Sequence, residues 1–307
     1  MTPKNHELEL MNRREFTKTA TGAAFAMAIP AHSVSDAAAD AKPAVPFKLS
    51  VMLWTVNKQL PFEQRLERVA EAGYGAVELV DEFLKWSEED LRRMNNKKRS
   101  LGITFDAAAG VWKGIADPAG RDAFLTDLQN FFPVAHKLEC PGVIVLSGNR
   151  VEGVSPDAHH NACIEALKRA ADLAAKQDVM LLLENIDQEE NPKYYLTSVS
   201  EGFEIIRRVD NPHVKFLYDF FHEQISEGNL IKKLEKNIDH VGLVHIADVP
   251  GRHEPGTGEI NYANIFRKLA ELKYDRYAAM EFEPTGDVVT SLRGARELAQ
   301  RSVGASQ

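Results

Sequence analysis

The chain has 307 residues, of which 44% are hydrophobic and 27% are charged, and its formal net charge is −8. A chain of this size and composition can bury one large core and needs neither disulfides nor repeats for stability. The excess of acidic over basic residues argues against a nucleic-acid binder, which requires a clustered basic surface, and favours small-molecule chemistry.

The amino-terminal residues have the pattern of an export signal. Arg13 and Arg14 lie in the stretch NRREFTK and precede a mildly apolar run at 19–31. This run is too short to span a membrane and weaker than an ordinary secretory signal, so the segment resembles a twin-arginine signal. We therefore predict an export signal and disordered segment at 1–42, a domain at 43–307, the twin-arginine translocase as a partner, and a periplasmic or otherwise exported location. The alternative is a disordered tail that happens to contain Arg-Arg.

Strand-length apolar runs then alternate with amphipathic segments. Eight strands are predicted, with the sequences KLSVMLWT, AVELV, ITFDAAAG, GVIVLSG, VMLLLENI, VKFLYDF, VGLVHIAD and RYAAMEFEP. Helical segments are predicted at 61–72, 87–100, 121–138, 156–177, 198–209, 230–238 and 262–272, and from 287 onward. Eight β-α units favour an α/β fold, a single-domain (β/α)₈ TIM barrel, over an open doubly wound sheet, and no glycine-rich nucleotide fingerprint follows the first strand.

Four potential metal ligands stand at the ends of the last four predicted strands: Glu184, Asp219, His245 and Glu281. In a TIM barrel the carboxyl ends of the strands form the catalytic mouth, so these side chains are expected to converge there. Two glutamates, one aspartate and one histidine suit Mn²⁺, Mg²⁺, Co²⁺ or Fe²⁺ better than a structural zinc ion. The pattern therefore predicts one divalent metal ion, of open identity, that polarises a carbonyl or hydroxyl oxygen.

Three segments of the chain contain motifs of a known family. They read HIADVPGRHEPGTGEINY at 245–262, YDFFHEQ at 218–224 and FDAAAG at 105–110. These motifs resemble the xylose isomerase-like barrels and, within them, the hydroxypyruvate isomerase family. The resemblance extends from about residue 49 to residue 284.

The resemblance implies a role for each residue at the mouth. The implied metal ligands are Glu184, Asp219, His245 and Glu281. Glu184 and Glu281 would also be catalytic, as the acid/base pair on the two sides of an enediol. His222 would bind substrate, the alternative being a helix-capping or core imidazole.

Four further residues are candidates for substrate binding. Arg252, in the loop after strand seven, suits a substrate carboxylate or hydroxyl, or is a solvated charge. Glu78, at the end of strand two, would touch substrate oxygens, support a metal ligand or cap a helix. Trp54 and Trp112 would form apolar walls of the pocket or pack between loops.

These features predict a metal-dependent aldose-ketose isomerase of hydroxypyruvate isomerase type, which moves a proton between adjacent carbons of a small hydroxycarbonyl or sugar substrate without a redox cofactor. A ketose 3-epimerase, or a lyase acting on a 3-keto sugar or glycoside, would use the same metal site. A DNA-repair endonuclease on a related barrel would need additional histidines and a basic groove. A binding protein with a vestigial barrel is a further alternative, and assembly into a homo-oligomer stays open.

Overall fold

Eight parallel strands form a closed barrel in the computed structural model, which describes residues 45–304. The strands pair in chain order, and the last pairs with the first, Lys48 lying opposite Tyr277. This topology confirms the predicted TIM barrel. The predicted signal and disordered segment at 1–42 lies outside the described residues.

The helices and strands alternate along the chain. The strands are β1 (Lys48–Met52), β2 (Ala76–Leu79), β3 (Thr104–Ala109), β4 (Gly142–Leu146), β5 (Met180–Glu184), β6 (Val214–Asp219), β7 (Val241–Ile246) and β8 (Tyr277–Met280). The α-helices are α1 (Phe62–Glu71), α2 (Glu88–Ser100), α3 (Arg121–Leu138), α4 (Pro156–Gln177), α5 (Val199–Val209), α6 (Phe220–Ser226), α7 (Leu230–Asn237), α8 (Tyr262–Glu271) and α9 (Val288–Gly304). Two short 3₁₀ helices are Leu53–Thr55 and Ile238–His240.

The core has two layers, one on each face of the sheet. The outer layer lies between strands and helices, and every residue of β7 is buried, as expected for strands covered on both faces. The inner layer fills the barrel and consists of Met52, Ala107, Ile144, Leu182, Leu217, Leu243 and Ala279. Both cysteines, Cys140 and Cys163, are buried free thiols that pack as small apolar side chains.

The connection between β6 and β7 contains an additional helix. One helical segment was predicted there, at 230–238, but α6 begins directly after Asp219. The carboxylate of Asp219 caps α6, since Oδ1 accepts hydrogen bonds from the backbone N–H of Phe221 at 2.7 Å and of His222 at 3.1 Å. The predicted extension of this strand to Phe220 is therefore wrong by one residue.

Strand β1 is also shorter than predicted at the rim. Met52 ends it and the 3₁₀ helix Leu53–Thr55 follows, because the chain turns away from the sheet there. At the start of α2, Ser87 and Asp90 form a complete capping box. Within the part of the chain that the structure describes, no helix has the length and apolar character needed to cross a membrane.

Candidate active site

The four predicted ligands converge at the carboxyl end of the barrel. Glu184 and Asp219 are the last residues of β5 and β6, His245 lies in β7 opposite Asp219, and Glu281 directly follows β8. One donor atom from each residue lies within 4.8 Å of the donor atoms of the other three. All four side chains are buried. The sequence-based convergence of these residues is therefore present in the structure.

His245 is the centre of this cluster. Its Nδ1 atom lies 2.8 Å from Glu281 Oε2, 3.2 Å from Glu184 Oε1 and 3.7 Å from Asp219 Oδ2. β5 and β6 lie on one side of β7 and β8 on the other, so the two glutamates flank the imidazole. The cluster thus presents one nitrogen and three carboxylate oxygens to a common point.

The hydrogen bonding of these atoms fits a metal site. Asp219 Oδ2, His245 Nδ1 and Glu281 Oε2 are buried and make no hydrogen bond among the described residues, although Arg252 forms an ion pair with Glu281 Oε2. Such orphaned atoms are costly in a folded protein unless another group satisfies them. Ligand atoms about 2.0–2.6 Å from one cation lie at most about 4–5 Å apart. The donor set and its spacing therefore suit a hard divalent cation.

Glu78 determines which nitrogen of His245 faces the cluster. Its Oε2 lies 2.8 Å from His245 Nε2, and its side chain is fully buried in β2. Because the Glu78 carboxylate accepts a hydrogen bond from Nε2–H, Nδ1 is the nitrogen that faces the three other carboxylates. The structure thus places Glu78 behind His245, on the side away from the three other carboxylates.

The charges at the mouth displace the pKa values of the two glutamates in opposite directions. Burial raises the pKa of Glu184, and His245 lowers it only in part. Burial also acts to raise the pKa of Glu281, but the Arg252 guanidinium and then His245 outweigh it and hold this pKa well below its usual range. For His245, burial acts to lower the pKa, and the carboxylates of Glu281 and Glu78 raise it well above its usual value.

Arg252 closes the cluster from the loop after β7. Its Nη2 atom lies 2.8 Å from Glu281 Oε2, and its Nη1 atom donates to Glu190 Oε2 at 2.5 Å. The guanidinium also stacks on Phe221, with Cζ 4.9 Å from the ring centroid. Arg252 is therefore part of the mouth and not a solvated loop charge.

His222 lies beside the cluster on α6. Its Nδ1 atom donates to Asp187 Oδ2 at 2.6 Å, and its Nε2 atom lies 3.4 Å from Asp219 Oδ2. Burial acts to lower its pKa, but the carboxylates of Asp219 and Asp187 raise the pKa of His222 to about 9. The imidazole is thus a buried cation at neutral pH, adjacent to the ligand set.

The two tryptophans occupy different environments. Trp54 donates from Nε1 to Glu281 Oε1 at 3.0 Å, and its ring lies 5.6 Å from Arg252 Cζ. Trp112 follows β3, and 53% of its surface is exposed. Its backbone N–H donates to Asp127 Oδ2 at 2.7 Å. Trp54 is therefore part of the cluster, whereas the contacts of Trp112 anchor its backbone to α3.

The loop that follows β7 is held by its own side chains. Asp248 accepts hydrogen bonds from the backbone N–H of Gly256 and Ile260 at 2.8 and 3.0 Å, and Glu254 accepts from Thr285. Arg252 has a backbone φ of 56°, which these bonds help to maintain. A side chain at Gly258 would collide with the backbone oxygen of Val249. The motif that carries the family resemblance thus builds the loop that presents Arg252.

Sequence reasoning missed two residues of the mouth, Asp187 and Glu190. With His222 they form a second group whose donor atoms lie within 4.8 Å of one another. Asp187 is buried, and its Oδ1 accepts from the backbone N–H of Glu189 and Glu190. The acidic stretch DQEE, which begins three residues after the end of β5, was the available signal, but such charge runs are more often solvated.

Comparisons with known proteins agree with this geometry. A family model described as "Xylose isomerase-like TIM barrel" matches residues 66–301. The chain is 32% identical over 250 residues to the 2-oxo-tetronate isomerase of Haemophilus influenzae, covering 80% of this chain and 96% of that protein. It is 30% identical over 251 residues to the hydroxypyruvate isomerase of Escherichia coli, covering 80% and 97%. A solved structure described as AP endonuclease, family 2, from Brucella melitensis superimposes with a TM-score of 0.72 and 27% identity, covering 81% and 97%.

Proposed function

Because this chain belongs to the xylose isomerase-like TIM barrel family, we propose that it is a metal-dependent aldose-ketose isomerase. The curated isomerases among its relatives support an isomerase enzyme. The observation that carries the metal-dependent part is the convergence of Glu184, Asp219 and Glu281 on His245 Nδ1. This arrangement supplies both a cation site and two carboxylates beside it.

The proposed ligands of the cation are Glu184, Asp219, His245 and Glu281, whose donor atoms are spaced for one ion. When bound there, a divalent cation supplies Lewis acidity to adjacent carbonyl and hydroxyl oxygens and thereby acidifies the C–H between them. Mn²⁺, Mg²⁺, Co²⁺ and Fe²⁺ all suit this donor set. Metal analysis of the purified protein tests the proposal, and one ion per chain is the expected stoichiometry.

Glu184 and Glu281 are the proposed acid/base pair. They come from β5 and β8 and flank the imidazole of β7, so a substrate between them would have a carboxylate on each side. One carboxylate removes a proton from carbon, and a proton returns to the neighbouring carbon, with an enediol between the two steps. The opposite displacement of their pKa values favours different protonation states for the pair.

The substrate is proposed to be a small hydroxycarbonyl compound or sugar. The names of the relatives make hydroxypyruvate and 2-oxo-tetronate the first compounds to test. Arg252 and His222 both carry positive charge next to the ligand set, and a guanidinium suits a carboxylate or a polarised hydroxyl. We assign these two residues to substrate orientation, with Trp54 as one apolar wall.

Proton exchange with solvent distinguishes the members of this reaction class. The metal-loaded protein is incubated in D₂O with hydroxypyruvate, 2-oxo-tetronate and a series of three- to six-carbon aldoses and ketoses, and NMR follows deuterium and product. Deuterium on the two adjacent carbons that exchange the carbonyl and the hydroxyl group, with interconversion of the two isomers, supports the isomerase. Inversion at C3 would instead indicate a ketose 3-epimerase, and loss of a substituent a lyase. Exchange at no carbon of any compound would exclude the proposed chemistry.

We also propose that the protein is exported by the twin-arginine translocase. The proposal is supported by Arg13-Arg14 and the weak apolar run that follows them. Fusion of residues 1–42 to a reporter that is active only outside the cytoplasm tests it, with Arg13→Lys/Arg14→Lys as the matched control. Export of both fusions, or of neither, would contradict the proposal.

A further inference from the structure

A buried carboxylate connects the loop after β5 to the imidazole beside the ligand cluster. Asp187 lies three residues beyond Glu184, and its side chain is fully buried. Its Oδ1 atom accepts hydrogen bonds from the backbone N–H groups of Glu189 and Glu190 at 2.7 and 2.9 Å. Its Oδ2 atom accepts a hydrogen bond from His222 Nδ1 at 2.6 Å. The two oxygens of this carboxylate therefore have separate partners, one set in its own loop and one on α6.

The contact with Oδ2 decides which edge of the His222 ring faces the mouth. A half-turn of the imidazole about the Cβ–Cγ bond would place a carbon atom where Nδ1 now lies and another where Nε2 now lies. Only the observed orientation gives Asp187 an N–H donor and places Nε2 3.4 Å from Asp219 Oδ2. This preference holds whether or not Nε2 carries a proton. A hydrogen bond to a charged group favours the orientation that makes it by about 10- to 150-fold.

From this geometry we propose that Asp187 is a positioning residue, which holds the ring of His222 in the orientation that serves the reaction. By accepting the hydrogen bond from Nδ1, Asp187 keeps Nε2 directed toward Asp219 and the mouth of the barrel. The inference rests on the proposed role of His222 in substrate orientation and adds a residue that neither the sequence motifs nor the ligand cluster assigns. Loss of this acceptor would leave the buried Nδ1–H without a partner and free the ring to turn.

The division of labour between the two oxygens allows the contact with His222 to be removed while the turn is kept. In Asp187→Ser the hydroxyl can still accept from the backbone N–H groups of the turn, but the side chain is too short to reach Nδ1. The matched control, Asp287→Ser, makes the same change where Oδ1 accepts from the backbone N–H of Thr290 at 2.9 Å, in the turn that begins α9. If Asp187→Ser does not fold, Asp187→Thr, which also has a hydroxyl and fills more of the space, takes its place.

The kinetic test is a double-mutant cycle with His222→Gln in the full, metal-loaded protein. Asp187→Ser is expected to lower kcat/KM about 10- to 150-fold when His222 is present, because the ring loses the bond that orients it. In the His222→Gln background the same substitution is expected to change kcat/KM by no more than about 2-fold, since no ring remains to be held. Asp287→Ser is expected to leave kcat/KM unchanged in both backgrounds.

Proton NMR of the imidazole N–H signals tests the same contact without substrate or metal. The signal of His222 is assigned by its absence in His222→Gln, and Asp187→Ser is expected to shift or remove it. An unchanged signal in Asp187→Ser, a wild-type kcat/KM in that variant, or losses of equal size in the two backgrounds would overturn the proposal. If the wild-type protein converts none of the test compounds, the proposed function is contradicted instead, and the NMR comparison still decides whether Asp187 holds the ring.

Discussion

Glu184 and Glu281 approach the same nitrogen of His245 from the two sides of β7, yet their pKa values are displaced in opposite directions. The difference arises from Arg252, whose guanidinium is 2.8 Å from Glu281 Oε2. For Glu184, burial dominates and raises the pKa. Two carboxylates with environments this different are suited to complementary proton-transfer roles.

Replacement of either glutamate by glutamine tests these roles. Glu184→Gln and Glu281→Gln each retain an oxygen that can ligate a cation but remove a group that exchanges protons. We expect kcat to fall by about 10²- to 10⁴-fold, the usual contribution of a general acid or base, with smaller changes in bound metal. Steady-state kinetics and metal analysis of the same samples measure both effects. Unchanged turnover in both variants would favour a binding protein with a vestigial barrel.

Trp54→Phe tests whether the hydrogen bond from the Trp54 indole holds the carboxylate of Glu281 in its active position. The substitution keeps an aromatic ring near Arg252 but deletes the 3.0 Å hydrogen bond from Nε1 to Glu281 Oε1. A hydrogen bond to a charged group contributes about 1.5–3 kcal/mol, so a decrease in kcat/KM of about 10-fold or more is expected. Trp112→Phe is the matched control, since Trp112 has no such bond and is half exposed, and its activity should stay near wild type. Equal losses in the two variants would argue against a specific role for Nε1.

The barrel and the clustering of its four candidate ligands could be predicted from the sequence because both depend on local patterns. Parallel strands buried on both faces read as continuous apolar runs, and a polar residue at the carboxyl end of such a run lies at the mouth. Glu184, Asp219, His245 and Glu281 all satisfy this rule. Helix α6 was missed because it starts without a loop, with Asp219 serving at once as the end of the strand and as the helix cap.

Residues that act through tertiary contacts could not be recognised in the same way. Glu190 lies in an acidic run whose sequence does not distinguish a solvated charge from the partner of Arg252. Asp106 interrupts an apolar strand, and the hydroxyl that donates to its carboxylate belongs to Ser50, 56 positions earlier in the chain. Only the closure of the barrel brings these side chains together.

Metal binding is expected to stabilise the fold as well as to support catalysis. A cation that binds the native state alone raises the free energy of unfolding by RT ln(1 + [L]/Kd), or about 2.7 kcal/mol at a concentration 100 times Kd. Removal of metal with EDTA should therefore lower the melting temperature, and Mn²⁺ or Co²⁺ should restore it. In the double variant Asp219→Ala/His245→Ala, added metal should leave the melting temperature unchanged. A metal-dependent shift of equal size in that variant would place the stabilising ion elsewhere.

Arg252→Lys tests whether the role of Arg252 requires the geometry of the guanidinium group or only its positive charge. Arg252 reaches Glu281 and Glu190 through two different nitrogens and stacks on Phe221, and a single ammonium group cannot make all three contacts. We expect a KM increase of about 10-fold or more for a substrate with a carboxylate, with a smaller change in kcat. Kinetics with the carboxylate substrate and with a neutral hydroxycarbonyl compound measure this difference. An equal effect on both compounds would indicate that Arg252 acts on Glu281 and not on the substrate.

The raised pKa of Glu223 is expected to make the free energy of unfolding depend on pH, independently of the four candidate ligands. It is fully buried on α6, where it contacts Lys233 and accepts from the backbone N–H of Val199 at 3.3 Å. Burial raises its pKa to about 7, although Lys233 lowers it in part, while the ordinary value is 4.5. Between these values the native state holds a proton that the unfolded chain has lost, so this group's contribution to stability decreases as pH rises from about 4.5 through 7.

Glu223→Gln is therefore expected to remove the pH-dependent contribution of this side chain to the free energy of unfolding, and so to flatten the pH profile of stability between pH 5 and pH 7. The glutamine keeps the shape of the neutral side chain and does not ionise. Urea unfolding of the wild-type and variant proteins at several pH values measures the slope. Glu235→Gln, an exposed acidic residue that pairs with Lys268, is the control and should retain the wild-type profile. A slope in Glu223→Gln equal to that of the wild-type protein would show that other groups cause the pH dependence.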